Sequence, residues 1–198
     1  MLNKYINQII CGDCLEVMKD MPDKSVDMIL CDLPYGTTAC KWDTIIPFEP
    51  LWEQYKRLIK DKGAIVLTAS QPFTTALIAS NMRMFKYCWV WQKTSGAGFL
   101  NAKNAPIKMH EDICVFSLGT TANKSQKQMK YYPQGLVPCT RKRKQPKIND
   151  AIGTRPSRKR EYEQQFCRYP TSILYFPNDG TMLHPTQKPV ALFEYLIR

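Results

Sequence analysis

The sequence has no apolar run near the roughly 20 residues that a membrane-spanning helix needs, which excludes a helical membrane protein. Its opening residues, MLNKYINQII, lack the long apolar core and the small-residue cleavage site of a secretory signal. Histidine is almost missing, with only His110 and His184 in 198 residues. Of eight cysteines, Cys11 and Cys14 form one Cys-x-x-Cys pair, and no second Cys/His pair stands at matching spacing. A structural zinc site takes four ligands, so no metal is expected. Without signs of secretion a disulfide framework is not expected either. Cysteines in apolar runs such as Met28-Ile29-Leu30-Cys31 read as small core hydrophobes. A cytoplasmic protein is the expectation. Fourteen Pro and nine Gly, widely scattered, exclude a low-complexity chain.

What the chain does have is positive charge. Lys and Arg number 28 against 17 Asp and Glu, a formal net of +11. The excess is local: between Ser117 and Pro170 there are 13 Lys and Arg against 3 Asp and Glu. A basic surface confined to a quarter of the chain calls for a polyanion, and nucleic acid fits better than membrane. Tyr131, Tyr132, Tyr162, Phe166 and Tyr169 are interleaved with RKRK at Arg141, Lys142, Arg143 and Lys144, and with Arg158, Lys159 and Arg160. Phosphates and bases both find partners on such a surface.

Hydrophobic periodicity supplies the frame. Val26–Cys31, Ala64–Ala69, Phe85–Trp91 and Ile113–Leu118 read as strands. Asp13–Asp20, Glu49–Lys60 (closed by Lys62-Gly63), a segment from Pro72 to about Asn81, and Val190–Arg198 read as helices. Strands alternating with helices predict an α/β fold with a mostly parallel sheet. Composition divides the chain into residues 1–116, a basic insert at 117–171, and a return to the first domain at 172–198.

Asp32-Leu33-Pro34-Tyr35-Gly36 directly follows a predicted buried strand, where open α/β sheets place their ligands. Its neighbours extend the pattern. Gly12-Asp13-Cys14-Leu15-Glu16-Val17, then Asp32-Leu33-Pro34-Tyr35, then Trp91-Gln92-Lys93, Asn101-Ala102-Lys103 and His110-Glu111, and finally His184 to Pro189 before an apolar helix, form an ordered series. In that order and spacing the chain resembles the amino-group DNA methyltransferases of the permuted, beta-class arrangement. Thr37-Thr38 and Lys41-Trp42-Asp43 resemble the phage and prophage adenine enzymes.

The resemblance implies a partial Rossmann-like class I methyltransferase sheet with helices on both faces. It makes residues 1–116 the catalytic part and the insert at 117–171 the target-recognition region. It implies S-adenosylmethionine as cofactor and double-stranded DNA as partner. Asp32 and the backbone carbonyl of Leu33 or Pro34 would accept the hydrogens of an exocyclic amino group, and Tyr35 would stack on the flipped base. Leu33 stands where the family has Pro. Asp13 and Cys14 would meet the cofactor's adenine, with a helix N-cap as the other reading of Asp13. His184, Thr186, Gln187 and Lys188 would lie on the cofactor side, with free N–H groups of the following helix holding a carboxylate. Lys93, Lys103 and the two basic clusters would meet DNA. His110-Glu111 reads as a polar pair ahead of a strand. Adenine is the expected target, with the cytosine amino group and a non-catalytic DNA-binding remnant as alternatives.

The family's glycine-rich cofactor loop has no counterpart in these residues. A C-terminally truncated sheet is therefore expected, as a fragment of a longer protein, a degenerate remnant, or one part of a fold that a second copy or another polypeptide completes over its open edge.

Overall fold

Helix gives way to strand without a linker at Leu58. In the computed structural model, which describes residues 2–144, 161–180, 183–184 and 186–198, α2 (Phe48–Leu58) passes straight into β2 (Ile59–Ala69). Lys62-Gly63 therefore does not end a helix, as its composition suggested; it lies inside a strand. Gly63 is needed there by close approach, since a Cβ would stand 2.6 Å from the Asp27 carbonyl oxygen and 2.8 Å from the Ile59 side chain. The ladder is irregular at this point, where Val26 pairs Ile59 but Met28 pairs Ala64.

The chain divides into two compact units, Met1–Tyr131 with Ser172–Arg198, and Tyr132–Thr171. The larger holds α1 (Cys14–Lys19), β1 (Val26–Asp32), α2, β2, α3 (Phe73–Ser80), β3 (Phe85–Ala97), β4 (Lys108–Phe116), β7 (Ile173–Tyr175) and α4 (Val190–Ile197). Its five-stranded sheet runs β1-β2-β4-β3-β7. β1 with β2 and β3 with β7 are parallel, whereas β4 lies antiparallel to both β2 and β3. The sheet is thus mixed rather than mostly parallel. β3 and β4 form a hairpin, and a hairpin is antiparallel by construction.

Strand alternation sends side chains to two cores. Ile65, Leu67, Cys114 and Phe116 face Leu51, Trp52, Tyr55 and Leu58 of α2 and Phe73 and Leu77 of α3. Val66, Ile113, Val115 and Trp91 face the other way, against Leu192 and Phe193 of α4 and against Met129. Helices cover both faces, as expected for this α/β class. Arg57 ties α2 to the turn before β1, donating to the carbonyl oxygens of Met18 (2.5 Å) and Met21 (2.6 Å) and to Asp23 (2.6 Å).

The boundary of the second unit falls at Tyr132, later than the change of composition at Ser117. Residues between them belong to the first unit: Met129 is buried and the Lys130 N–H donates to the Lys62 carbonyl at 2.9 Å. The second unit carries a two-stranded antiparallel ribbon, β5 (Val137–Lys144) with β6 (Glu161–Cys167). Although no disulfide framework is expected from the sequence, Cys139 and Cys167 form a disulfide, Cα to Cα 5.9 Å. The ribbon's register sets Val137 opposite Cys167 and so brings together cysteines 28 residues apart in sequence. Among the described residues, no helix is long and apolar enough to cross a membrane.

Candidate active site

Asp32 is the last residue of β1, an edge strand of the sheet. Its register partner on β2 is Thr68, and the Thr68 partner on β4 is Ile113. Because β4 runs antiparallel, its first residues lie at the same end of the sheet as the last residues of β1 and β2. That direction brings Glu111 to Asp32. β3 continues past Trp91, its predicted end, so Lys93 is also on a strand, and Glu111 pairs with Trp91.

Asp32, Trp91, Lys93 and Glu111 line a cavity of about 490 Å³ together with Leu33, Pro34, Tyr35, Asp43, Asn178, Thr186, Gln187 and Lys188. A volume of this order suits a small-molecule ligand. Asp32 Oδ1 accepts from the Thr68 hydroxyl and from the Tyr35 hydroxyl at 3.0 Å. Asp32 Oδ2 accepts from Lys188 Nζ at 3.0 Å. Lys188 Nζ also stands 3.4 Å from Glu111 Oε2, while Lys93 pairs with Glu111 Oε1. The Tyr35 hydroxyl is 3.3 Å from Glu111 Oε2. Two lysines and two carboxylates thus balance in one site. The Lys188 side chain is only 8% exposed, Glu111 12% and Lys93 16%. Burial, then the negative charges of Asp32 and Glu111, push the Tyr35 phenol far above its ordinary range. It stays protonated and serves as a donor. The Tyr35 ring stacks on Phe73 at 5.3 Å, and the Lys188 ammonium lies 5.3 Å from its centre.

The loop after Tyr35 is organised by Asp43. Its carboxylate accepts from the backbone N–H groups of Gly36 (2.9 Å), Thr37 (2.9 Å) and Thr38 (2.7 Å). Burial would raise its pKa, but these donors hold it down to about 2. Gly36 sits at φ 66°, a left-handed conformation that glycine adopts without strain.

The expected cofactor residues separate into groups. Thr186, Gln187 and Lys188 line the cavity; Asp13, Cys14 and His184 do not. Asp13 caps α1, its carboxylate accepting from the Leu15 N–H at 2.8 Å, and Cys14 is the first residue of that helix. His184 Nδ1 meets the Thr186 hydroxyl at 3.0 Å, and its ring lies against Trp42. The N–H groups opening α4 are not all free, since Val190 donates to Asp179 at 3.3 Å. Asp179 also accepts from Gln187 at 2.9 Å, and so fixes the segment that carries Lys188.

Among the residues expected to meet DNA, Lys93 is enclosed beside Glu111, its side chain lining the cavity rather than standing free on the surface. Lys103 is exposed at the turn between β3 and β4. Arg141, Lys142, Arg143 and Lys144 lie on β5, with Arg141 and Lys142 exposed. Arg158, Lys159 and Arg160 fall outside the described residues. The sequence alone does not single out Thr68, Asn178 or Asp179 for this site, and Glu111 stands in a pair that reads there as structural.

The residues present fit a ligand carrying amino and cationic groups. Asn178 lines the cavity, and its Oδ1 is the buried side-chain oxygen left without a hydrogen-bond partner among the described residues. An orphaned acceptor of this kind is costly unless a ligand donates to it. Asp32 and Glu111 supply further acceptors in the same wall. No group of three or more His, Cys, Asp or Glu able to hold a metal occurs among the described residues.

Residues 26–198 match the N6/N4 methyltransferase family, described as DNA methylase. The chain belongs to that family. It is 24% identical over 208 residues to the type II methyltransferase M.HpaI of Haemophilus parainfluenzae, covering 96% of this chain and 58% of that protein. It is 25% identical over 213 residues to M.HinfI of Haemophilus influenzae, covering 88% and 55%. The chain therefore spans a little over half the length of these relatives. Among solved structures, the M1.HpyAVI–SAM complex aligns with a TM-score of 0.55 at 19% identity, over 96% of this chain and 75% of that one. The cytosine-N4-specific PvuII DNA methyltransferase aligns with a TM-score of 0.56 at 13% identity, over 94% and 67%. These likenesses establish the shared fold.

Proposed function

We propose that this DNA methylase transfers a methyl group from S-adenosylmethionine to the exocyclic amino nitrogen of adenine in duplex DNA. The observation that carries the reading is the Asp32 carboxylate, fixed at the carboxyl end of β1 by Thr68, Tyr35 and Lys188 inside a cavity of about 490 Å³.

An aromatic amino nitrogen is a poor nucleophile because its lone pair is shared with the ring. The Asp32 carboxylate and the Leu33 or Pro34 carbonyl would accept its two hydrogens and localise that pair. S-adenosylmethionine, when bound, supplies an electrophilic methyl group whose bonding electrons leave with sulfur as the new carbon–nitrogen bond forms. Asp32 then stands where the proton released by nitrogen must be held before it reaches solvent. Asn178 would supply an acceptor for the cofactor's cationic end. Tyr35 forms a wall for the extruded base, which must leave the duplex because its amino group is otherwise out of reach. Orientation within the cavity does most of the catalytic work. Arg141 and Lys142, on the ribbon of the second unit, meet backbone phosphates.

The test is methyl transfer from radiolabelled S-adenosylmethionine to unmethylated DNA, by the wild-type chain and by Asp32→Ala, with the product nucleosides separated. N6-methyladenine from the wild type alone supports the reading. N4-methylcytosine would move the target to cytosine. Equal transfer by both proteins would remove Asp32 from the mechanism.

A further inference from the structure

We infer that Glu111 is a positioning residue that takes the Lys188 ammonium off the Asp32 carboxylate when the target amino group arrives. The inference rests on the methyl-transfer reading above and deepens it.

Both oxygens of Asp32 are already occupied. Oδ1 accepts from Thr68 and Tyr35, and Lys188 Nζ lies 3.0 Å from both Oδ1 and Oδ2. A carboxylate that already holds two hydroxyls and an ammonium has little acceptor capacity left for an amino N–H. Lys188 has to loosen its hold for Asp32 to act. It cannot do so by turning into water, because its side chain is 8% exposed and the cost of stranding a buried ammonium is large. The alternative partner is already in reach: Glu111 Oε2 lies 3.4 Å from Nζ, against 3.0 Å for Asp32. A small displacement between the two carboxylates transfers the charge.

Glu111 is built for that part. Lys93 pairs with its other oxygen, Oε1, and holds the carboxylate in place. Both lysines stay compensated whichever carboxylate holds Lys188, so the exchange creates no net charge in the site. Tyr35, whose hydroxyl reaches both carboxylates, bridges the two positions. Nothing in this arrangement requires Glu111 to touch the base.

Two measurements test it. Glu111→Gln keeps the shape and removes the charge. It is expected to lower kcat about tenfold while leaving the KM for DNA and for S-adenosylmethionine within about twofold. Glu111→Asp should recover part of the loss. In a Lys188→Met background, Glu111→Gln should cost nothing further, because its effect passes through Lys188. A wild-type kcat for Glu111→Gln, or the same loss in both backgrounds, overturns the inference. Crystal structures of the wild type and of Glu111→Gln give a readout that needs no turnover. Lys188 Nζ should move away from residue 111 and close on Asp32; an unmoved Nζ overturns the inference. Failure of the wider reading is separately visible, as equal transfer by the wild type and Asp32→Ala.

Discussion

Asp32 has hydrogen-bond partners from three separate stretches of chain, Thr68, Tyr35 and Lys188, and each bears on what a substitution there would do. Asp32→Ala is expected to lower methyl transfer by at least about a thousandfold, through loss of the acceptor and of alignment. DNA affinity should be nearly unchanged, because Asp32 offers nothing to phosphate. Labelled transfer and fluorescence anisotropy measure the two effects side by side. Lys93 makes the opposite case. Lys93→Gln would leave Asp32 and Glu111 to share the single ammonium of Lys188 and is expected to cost about 3 kcal/mol of stability, read from urea unfolding. A surface lysine serving only DNA would cost close to nothing.

At the scale of elements, the loop from Gly36 to Asp43 is held by one carboxylate. The Asp43 carboxyl is lowered from 3.8 to about 2 in the folded chain, so the unfolded state binds the proton more readily. Its contribution is complete above the ordinary carboxylate pKa and is lost as pH falls through about 4 toward about 2. Asp43→Asn should be less stable than the wild type near neutrality, with the difference closing in acid; denaturant unfolding at several pH values checks this. Gly63 offers a second case. Gly63→Val would press a branched side chain against the Asp27 carbonyl and Ile59, and should cost about 2 kcal/mol, visible as a lower Tm.

Most strands and helices of the larger unit are legible in the sequence because apolar spacing is local, as Val26–Cys31 and Glu49–Lys60 show, whereas the polar strands β5 and β6 are not. What is not legible is direction. Nothing in residues 108–116 says that β4 runs against β2, yet that direction carries Glu111 to Asp32. Glu111 looks structural in the sequence for this reason, and Lys93 looks like a surface residue because β3 outruns its apolar stretch. Asp32 and Tyr35 are readable because their motif follows a strand whose far end is a natural ligand position. The disulfide is hidden by the sequence distance between its cysteines.

For the molecule as a whole, the exposed basic ribbon and the candidate site belong to different units. The ribbon carries exposed Arg141 and Lys142, while the cavity residues all belong to the larger unit. Replacing Arg141 and Lys142 with glutamine should weaken DNA binding. The slope of log affinity against log salt should become shallower by about 1 for each phosphate that is no longer neutralised. The rate at saturating DNA should hold. Binding titrations at several salt concentrations, set beside saturated turnover, check both halves of the statement.

The return of the chain to the sheet bears on how such a protein can diversify. β7 joins β3 through backbone pairing, Val90 with Ile173 and Gln92 with Tyr175, and the Val90 N–H donates to the Ser172 carbonyl at 2.8 Å. Main-chain bonds of this kind are indifferent to which side chains came before them. The residues between Tyr131 and Ser172 can therefore be exchanged, lengthened or rewritten over evolutionary time while the strand re-enters at the same place. A lineage could inherit its chemistry intact and acquire a new vocabulary.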